Sequence, residues 1–483
     1  MAYLAAMLRR EGHEVFCIDA AGEAIGARTP IDEEHGLDVC GLTAPEIVAR
    51  IPAHTKLIGI SCIFTSEWIY CRKVIEAITA KFPHVPIVMG GEHVTAAAHD
   101  IMAQMPQVTA CVLGEGEECL LELVEAGANT EAMAEIKGIV YRSTSGEIMA
   151  TPPRSRVRRL DELPWPDWNG IPIERYLEYG HGYGVTRGRV MPMLASRGCP
   201  YRCTFCSNPG MWGKLWNVRS PADVVAEMKY YVEHHGVTHI TFWDLTMVIR
   251  KEWMIEFMQL LRKEKLGVEW SIPSGTRSES LDAEVASLML ETGCRKMTFA
   301  PESGSKEELL RIQKKVHLDT MLSKMRIFSK TGLIVKAHII FGFPDSTLKD
   351  VLLNYWFLVK MAWVGVNDCP IYLFHPYPGS ALHHRLKAEG AFPADIEEYD
   401  RMMALSVSNN YRQSRSWNHR FSARTLARMG LLGMAIFYSS QFLFRPWRLG
   451  ISLYRSLRSE PVTMLERMPE IFLSRFTPRD ITP

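Results

Sequence analysis

The sequence predicts an α/β chain of two alternating halves followed by a helical extension. Three observations carry that expectation. Helix and strand signals alternate from residue 2 to 126, and a second alternating series opens at Val190. Beyond about residue 391 the pattern turns helical and rich in arginine and aromatic residues. A length of 483 residues exceeds one ordinary domain. Hydrophobic residues at 47% and charged residues at 23% are the balance of a folded globular chain, not a disordered one. Lys plus Arg (55) and Asp plus Glu (54) leave a net charge of +1, which argues against a nucleic-acid partner. Eleven cysteines, an odd number, with Met1 leading straight into a helix-like run, fit a reducing cytoplasmic setting better than a disulfide framework.

Helix-like Ala2–Glu11 and strand-like Glu14–Asp19 come first. Helix Ala44–Ile51, strand Lys56–Cys62, helix Glu67–Lys81, strand Pro86–Met89, helix Val94–Met105, strand Val108–Leu113 and helix Glu117–Glu125 follow. Near-continuous apolar strands between helices indicate a parallel sheet covered on both faces, a doubly wound, Rossmann-like domain over 1–136. Such a domain ordinarily opens with a strand; here a helix comes first, so a first strand is expected to be missing. Lys137–Arg142 and Glu147–Thr151 flank Ser143–Gly146 as a hairpin. Thr151–Trp168, with four prolines, reads as a linker strapped over a surface. The two make a connecting segment over 137–189.

Over 190–390 the predicted strands are Val190–Ser196, Thr238–Trp243, Val268–Gly275, Arg295–Ala300, Leu333–Phe341 and Asp368–Phe374. Helices Pro221–His234, Lys251–Lys263, Ala283–Glu291, Leu318–Lys330 and Leu348–Met361 fall between them. Six strands in order suggest a partial (β/α)6 barrel of TIM type, with chemistry at the carboxyl ends of the strands. In Leu333–Phe341, Lys336 and His338 share one face and Val335, Ala337 and Ile339 the other. One face is therefore polar, either a barrel interior around a ligand or an exposed edge. Arg277, at the end of the third strand, is a similar case.

The strongest chemical signal is Cys199-Pro-Tyr-Arg-Cys203-Thr-Phe-Cys206, in a loop directly after the first barrel strand. Thiolates are soft ligands suited to iron–sulfur clusters. A closed zinc site needs a fourth ligand, and no further Cys or His lies close by in sequence. In this position the motif resembles that of the radical S-adenosylmethionine superfamily. The resemblance implies that Cys199, Cys203 and Cys206 hold a [4Fe–4S] cluster whose open iron chelates S-adenosylmethionine. One electron, from an external donor of flavodoxin or ferredoxin type, then cleaves that molecule to a 5′-deoxyadenosyl radical. The resemblance also places Phe205 near the adenine. It makes Asp244 in Phe242-Trp243-Asp244 and Glu302 in Pro301-Glu302-Ser303-Gly304-Ser305 contacts of the cofactor. Capping of the next helix is the other reading of both carboxylates. Ala300-Pro301 stands where the family usually has Gly and an apolar residue; Phe341-Gly342-Phe343-Pro344 matches.

Three loops of the first half carry small or polar residues just past a strand: Thr65-Ser66, Gly90-Gly91-Glu92-His93 and Gly114-Glu115-Gly116-Glu117. All belong at one edge of a parallel sheet, where open α/β sheets bind ligands. Upstream of such a barrel, these loops and Tyr3–Val15 (Tyr-Leu-Ala-Ala, then Arg-x-x-Gly-His-x-Val) resemble the cobalamin-binding domain of cobalamin-dependent radical enzymes. That resemblance spans roughly 1–390. It implies that Thr65, Ser66, Gly90, Gly91, Gly114, Glu115 and Gly116 contact cobalamin. No Asp-x-His-x-x-Gly segment supplies an axial histidine, so cobalamin without that lower ligand is expected; His93 is the nearest candidate, and a turn-associated structural histidine is the preferred reading of it. Cys62, Cys71, Cys111 and Cys119 show no ligand spacing and read as core or helix-face thiols.

The most frequent chemistry in the family is methylation of an unactivated carbon, so the implied function is a cobalamin-dependent methyltransferase acting on a small molecule. A cobalamin-dependent oxidative cyclase or rearrangement enzyme, of the kind that closes tetrapyrrole rings, shares every motif. A methylthiotransferase fits less well, because its three N-terminal cluster cysteines and its RNA-binding β-barrel have no counterpart here. A non-catalytic cobalamin-binding protein conflicts with the intact cysteine motif. In the extension over 391–483, Gly430–Phe444 is apolar and flanked by Arg424, Arg428, Arg445 and Arg448. Arg455, Arg458, Arg467 and Arg475 then alternate with Leu, Phe and Met. The 16 charge-free residues between Arg428 and Arg445 are too few to span a bilayer. Two placements are open: a helix packed on the barrel, or peripheral membrane contact with Trp447 at headgroup depth, which would point to an apolar substrate.

Overall fold

The computed structural model describes residues 1–127, 129–180, 188–406, 415–458 and 461–467. By compactness they form two units. The first comprises Met1–Arg175, Cys199–Asn217 and His375 onward to 406; the second comprises Tyr176–Gly198, Val218–Phe374 and the described residues from 415. The cysteine loop therefore belongs with the N-terminal α/β unit.

In the first unit, strands Ile58–Ser61, Ile87–Gly90 and Val108–Val112 lie parallel and side by side. Ile87–Gly90 and Val108–Val112 are short apolar runs that bury both faces, while the edge strand Ile58–Ser61 leaves Gly59 and Ser61 exposed; helices Ala44–Arg50, Trp68–Lys81, Glu92–Gln104 and Glu117–Ala126 flank them. The hairpin of Ile139–Arg142 and Ile148–Ala150 continues the same sheet, antiparallel to Val108–Val112. Glu14–Asp19 forms no strand. Phe16 points to solvent at 67% exposure, Arg9 Nη2 donates to Val15 O (2.8 Å), and Asp19 caps the short helix Ala20–Glu23. An isolated antiparallel pair, Arg28–Asp32 with Leu37–Cys40, follows instead.

The second unit is built on a six-stranded, all-parallel sheet. Its strands are Val190–Met193, His239–Phe242, Glu269–Thr276, Cys294–Glu302, Ile334–Phe341 and Ile371–Leu373, hydrogen-bonded in chain order. Helices Pro221–His235, Lys251–Glu264, Ala283–Glu291, Leu318–Thr331 and Leu348–Val364 connect them. Alternation along the strands sorts the side chains. Phe242 and Trp270 turn to the helices, where they meet Phe257 edge-on at 5.8 and 5.6 Å. The opposite face carries a polar layer: His239 Nε2 and Ser271 Oγ lie 2.9 Å apart, and Lys336 pairs with the fully buried Asp368 at 2.9 Å. The polar face expected of Lys336 and His338 is thus largely buried, not an exposed edge.

Of the two placements open for Gly430–Phe444, the packed one is found. Helix Ala423–Phe444 lies on Leu348–Val364 and the last strand, with Gly433 close against Ile371 and Leu358. Tyr438 Oη donates to Asp368 (2.6 Å), and Gln441 Nε2 donates to the carbonyls of Val366 and Asn367 (2.8 and 2.9 Å). Arg475 lies outside the described residues. Among the described residues, no helix is long and apolar enough to cross a membrane.

Candidate cofactor-binding site

The carboxyl edge of the first sheet is a set of loops bonded to one another. Cys62 N donates to Gly90 O (2.9 Å) and His93 N to Ile63 O (3.1 Å). Thr65 Oγ1 meets His93 Nδ1 at 3.1 Å. Thr95 Oγ1 donates to Gly91 O (2.9 Å) and accepts from Gly114 N (3.0 Å). Gly91 sits at φ +121°, where a Cβ would lie 2.3 Å from Cys62 O, so only glycine fits. Thr65 and Ser66 start a short 3₁₀ turn and are half-buried, while Ile63 and Phe64 stand exposed beside them. Gly116 precedes the helix Glu117–Ala126. All seven residues expected from these loops thus lie along one edge.

His93 is buried against Trp68, at 5.6 Å between rings, and burial lowers its pKa to about 4. The imidazole is neutral and bonded to Thr65 through Nδ1, and its buried Nε2 has no hydrogen-bond partner among the described residues. Cys62, Cys111 and Cys119 are core thiols, and Cys71 is half-buried.

The cysteine loop is tied into the same unit. Cys206 N donates to Cys203 O (3.2 Å) and Asn208 Nδ2 to Cys199 O (3.4 Å). Leu382 N, on the helix Ala381–Ala388, donates to Thr204 O (2.9 Å). All three sulfurs and Phe205 are half-buried. Burial pushes the Cys206 thiol up to about 12, and the neighbouring Cys203 and Cys199 add to the rise. Three soft donors on one loop, where burial disfavours a bare thiolate, are the donor chemistry an iron–sulfur cluster takes, and its positive irons offset that penalty; among the described residues no three Cys, His, Asp or Glu side chains already stand in ligating geometry.

Three residues that sequence reasoning left out join these loops. Ser207 Oγ donates to Glu92 Oε1 at 2.5 Å. Glu115 accepts from Arg156 Nε (2.8 Å) and Val157 N (2.9 Å). Arg156 also donates to the carbonyls of Trp212 (2.6 Å) and Leu215 (3.1 Å) and lies 4.9 Å over the Trp212 ring. The only sequence signal was an arginine in the proline-rich strap.

In the second unit, Asp244 is fully buried just past the second strand. Its carboxylate accepts from Ala195 N (3.1 Å) and Ser196 Oγ (2.5 Å), and burial raises its pKa to about 6. It thereby fixes the strand end that leads into the cysteine loop. Glu302 closes the fourth strand at φ +64°, a left-handed conformation that costs a non-glycine residue about 1–3 kcal/mol. Lys314 Nζ holds its Oε1 at 2.9 Å. Neither carboxylate caps a helix: Ser305 caps Lys306–Arg311, and no side chain caps Lys251–Glu264. Arg277 is buried and pairs with Glu279 at 2.9 Å.

Comparison with known proteins agrees with this arrangement. Residues 1–124 match the model of the B12 binding domain and residues 193–353 that of the radical SAM superfamily. An uncharacterized methyltransferase of Pyrococcus horikoshii is 29% identical over 79% of this chain and 76% of its own length. The anaerobic magnesium-protoporphyrin IX monomethyl ester cyclase of Rubrivivax gelatinosus is 26% identical over 83% of this chain and 68% of its own. The radical S-adenosylmethionine methyltransferase TsrM of Kitasatospora setae, solved with cobalamin and a [4Fe–4S] cluster bound, shares the fold. Its TM-score is 0.60 at 17% identity, over 81% of this chain and 72% of that one. With both domains matched in this order, the chain belongs to the radical SAM superfamily, among the members that carry an N-terminal B12 binding domain.

Proposed function

We propose that this chain is a cobalamin-dependent radical SAM methyltransferase that adds a methyl group to an unactivated carbon of a small molecule. The observation that carries the reading is the Ser207–Glu92 hydrogen bond. It ties the residue after Cys206 to the residue after Gly91, joining the cysteine loop to the strand-end loops within one unit.

In this reading 1–136 binds cobalamin, 137–189 connects, 190–390 is the radical SAM partial barrel, and 391–483 is a helical extension. Cys199, Cys203 and Cys206 hold the [4Fe–4S] cluster. Phe205 and Glu302 contact S-adenosylmethionine. Asp244 serves the same cofactor by fixing Ala195 and Ser196 before the cysteines. Thr65, Ser66, Gly90, Gly91, Gly114 and Gly116 line the cobalamin site, with Glu115 oriented by Arg156. When bound, the cluster with S-adenosylmethionine supplies the radical that breaks a C–H bond, and cobalamin carries the methyl group. The chain's own groups need only bind, orient and exclude water, so no side-chain base is required. The enzyme works in the cytoplasm, draws electrons from a flavodoxin- or ferredoxin-type donor, and touches a membrane surface reversibly.

Relatives named as cyclases make oxidative ring formation the second reading. Anaerobically reconstituted enzyme, given methyl-deuterated S-adenosylmethionine and a small-molecule cell extract, separates the two. A labelled methyl group in an extract component supports methyl transfer. Cofactor cleavage with an oxidised, unlabelled product sinks it and favours the cyclase.

A further inference from the structure

The helix Trp447–Leu457 is mounted inside out. Amphipathic helices of globular proteins bury the apolar face and leave the polar face in water. Here the polar face is the docked one. Arg448 donates to the carbonyls of Val366 (3.0 Å) and Gly365 (2.9 Å). Ser452 Oγ donates to Glu466 Oε1 (2.8 Å), Ser456 Oγ to Glu466 O (3.3 Å), and Arg455 lies 3.9 Å from the Glu466 carboxylate. The opposite face carries Trp447, Ile451, Leu453, Tyr454 and Leu457, exposed by between 43% (Ile451) and 87% (Leu457). No residue of this helix is buried. Just before it Leu443 is exposed, as is Trp363, which packs edge-on to Phe444 at 5.0 Å.

We infer that this face is a docking surface for an anionic lipid bilayer. Charge selects the occupant. Residues 415–458 contain no Asp or Glu; of their eight arginines, Arg445, Arg448 and Arg455 are bonded to the protein, and Arg458 stands exposed beside the apolar face. A basic, aromatic-bearing surface of this kind matches anionic headgroups. Trp447 and Tyr454 are the side chains that settle at headgroup depth, and Arg458, 5.1 Å over the Tyr454 ring, sits beside them. Eleven residues make a helix of about 16 Å, which lies in the interface plane and cannot cross it. Contact through so short a helix is reversible and weakens with salt. The inference specifies the membrane contact included in the reading above and uses none of the cofactor residues, so either can fail without the other.

The test is flotation of the full-length, cofactor-loaded chain with phosphatidylcholine vesicles, with and without about one-third phosphatidylglycerol, against an Ile451→Glu/Leu457→Glu variant. Both substituted side chains face solvent, so melting temperature and bound iron should match the wild type. Wild type should float with the anionic vesicles, weaken in high salt, and partition at least roughly tenfold better than the variant. Failure to float with anionic vesicles overturns the inference. So does equal flotation of the variant, or equal flotation with neutral vesicles. A dimer in light scattering that the variant breaks also overturns it, because the face would then belong to a second copy.

Discussion

Replacing Gly91 by alanine tests whether the strand-end loops form a cofactor cradle. The backbone there has φ +121° and ψ 176°, a region essentially reserved for glycine, where another residue costs about 1–3 kcal/mol. The new Cβ would also sit 2.3 Å from Cys62 O and 2.8 Å from Cys62 C. Both contacts are backbone, so no side chain can swing away. Restoring ordinary contact moves the Cys62–Ile63 peptide by about 1 Å, and overpacking of that kind costs a further 1–3 kcal/mol or so. The total is about 2–6 kcal/mol, taken partly as stability and partly as displaced loop. The displaced segment carries Thr65 and Ser66, and it would strain the bonds Cys62 N to Gly90 O and His93 N to Ile63 O. A misplacement of about 1 Å commonly costs around a hundredfold where positioning matters. Absorbance titration with cobalamin should therefore show affinity at least tenfold weaker, with a lower melting temperature. Gly59→Ala is the control, since its Cβ would meet nothing within 4 Å and both readings should stay near wild type. Wild-type cobalamin affinity and melting in Gly91→Ala would refute the reasoning.

Cys203→Ala should abolish the cluster and all S-adenosylmethionine cleavage, read by iron content and 5′-deoxyadenosine release; cleavage that survives removes Cys203 from the ligand set. Lys314→Met strands the buried Glu302 carboxylate and should destabilise the fold by about 3–5 kcal/mol. Adding Glu302→Gln should recover most of the lost melting temperature without restoring S-adenosylmethionine binding. His93, with its pKa lowered to about 4 by burial, favours the fold only while neutral. Its contribution is complete above the ordinary value near 6.5 and is lost as pH falls through 4, worth up to about 3 kcal/mol. Denaturation midpoints should therefore fall from pH 7 to pH 4.5, and less steeply in His93→Gln.

The parallel strands were legible because strands rich in apolar and β-branched residues recur between helical segments, and the cysteines because their spacing is local. What escaped depended on distance or on facing. Arg28–Asp32 and Leu37–Cys40 alternate between half-buried and exposed, so they leave no apolar run; their turn is held by Asp32 and His35 at 3.0 Å. Glu14–Asp19 has the alternation of a strand, yet no neighbour pairs with it and Phe16 turns to water. The amphipathy of the C-terminal segment was visible, but sequence does not say which face docks. Glu466, which receives Ser452 and Ser456, decides that.

The pairing of Ser207 with Glu92 spans 115 positions and that of Arg156 with Glu115 spans 41, so neither leaves a local pattern. Their placement nonetheless follows one rule. Each acidic residue stands one position after a glycine of a strand-end loop, where the backbone is free to approach a ligand. Glu92 is taken by Ser207, beside Cys206; Glu115 is taken by Arg156, which also holds the carbonyls of Trp212 and Leu215. In the fold, both carboxylates lock the two loops that follow strands Ile87–Gly90 and Val108–Val112 to the segment that begins with the cysteines. A hydroxyl–carboxylate bond and a half-buried ion pair contribute little net stability compared with apolar packing; here they hold the two loops to the cysteine segment. A single arrangement is what two cofactors held on separate loops require, because positioning errors of about 1 Å cost rate steeply.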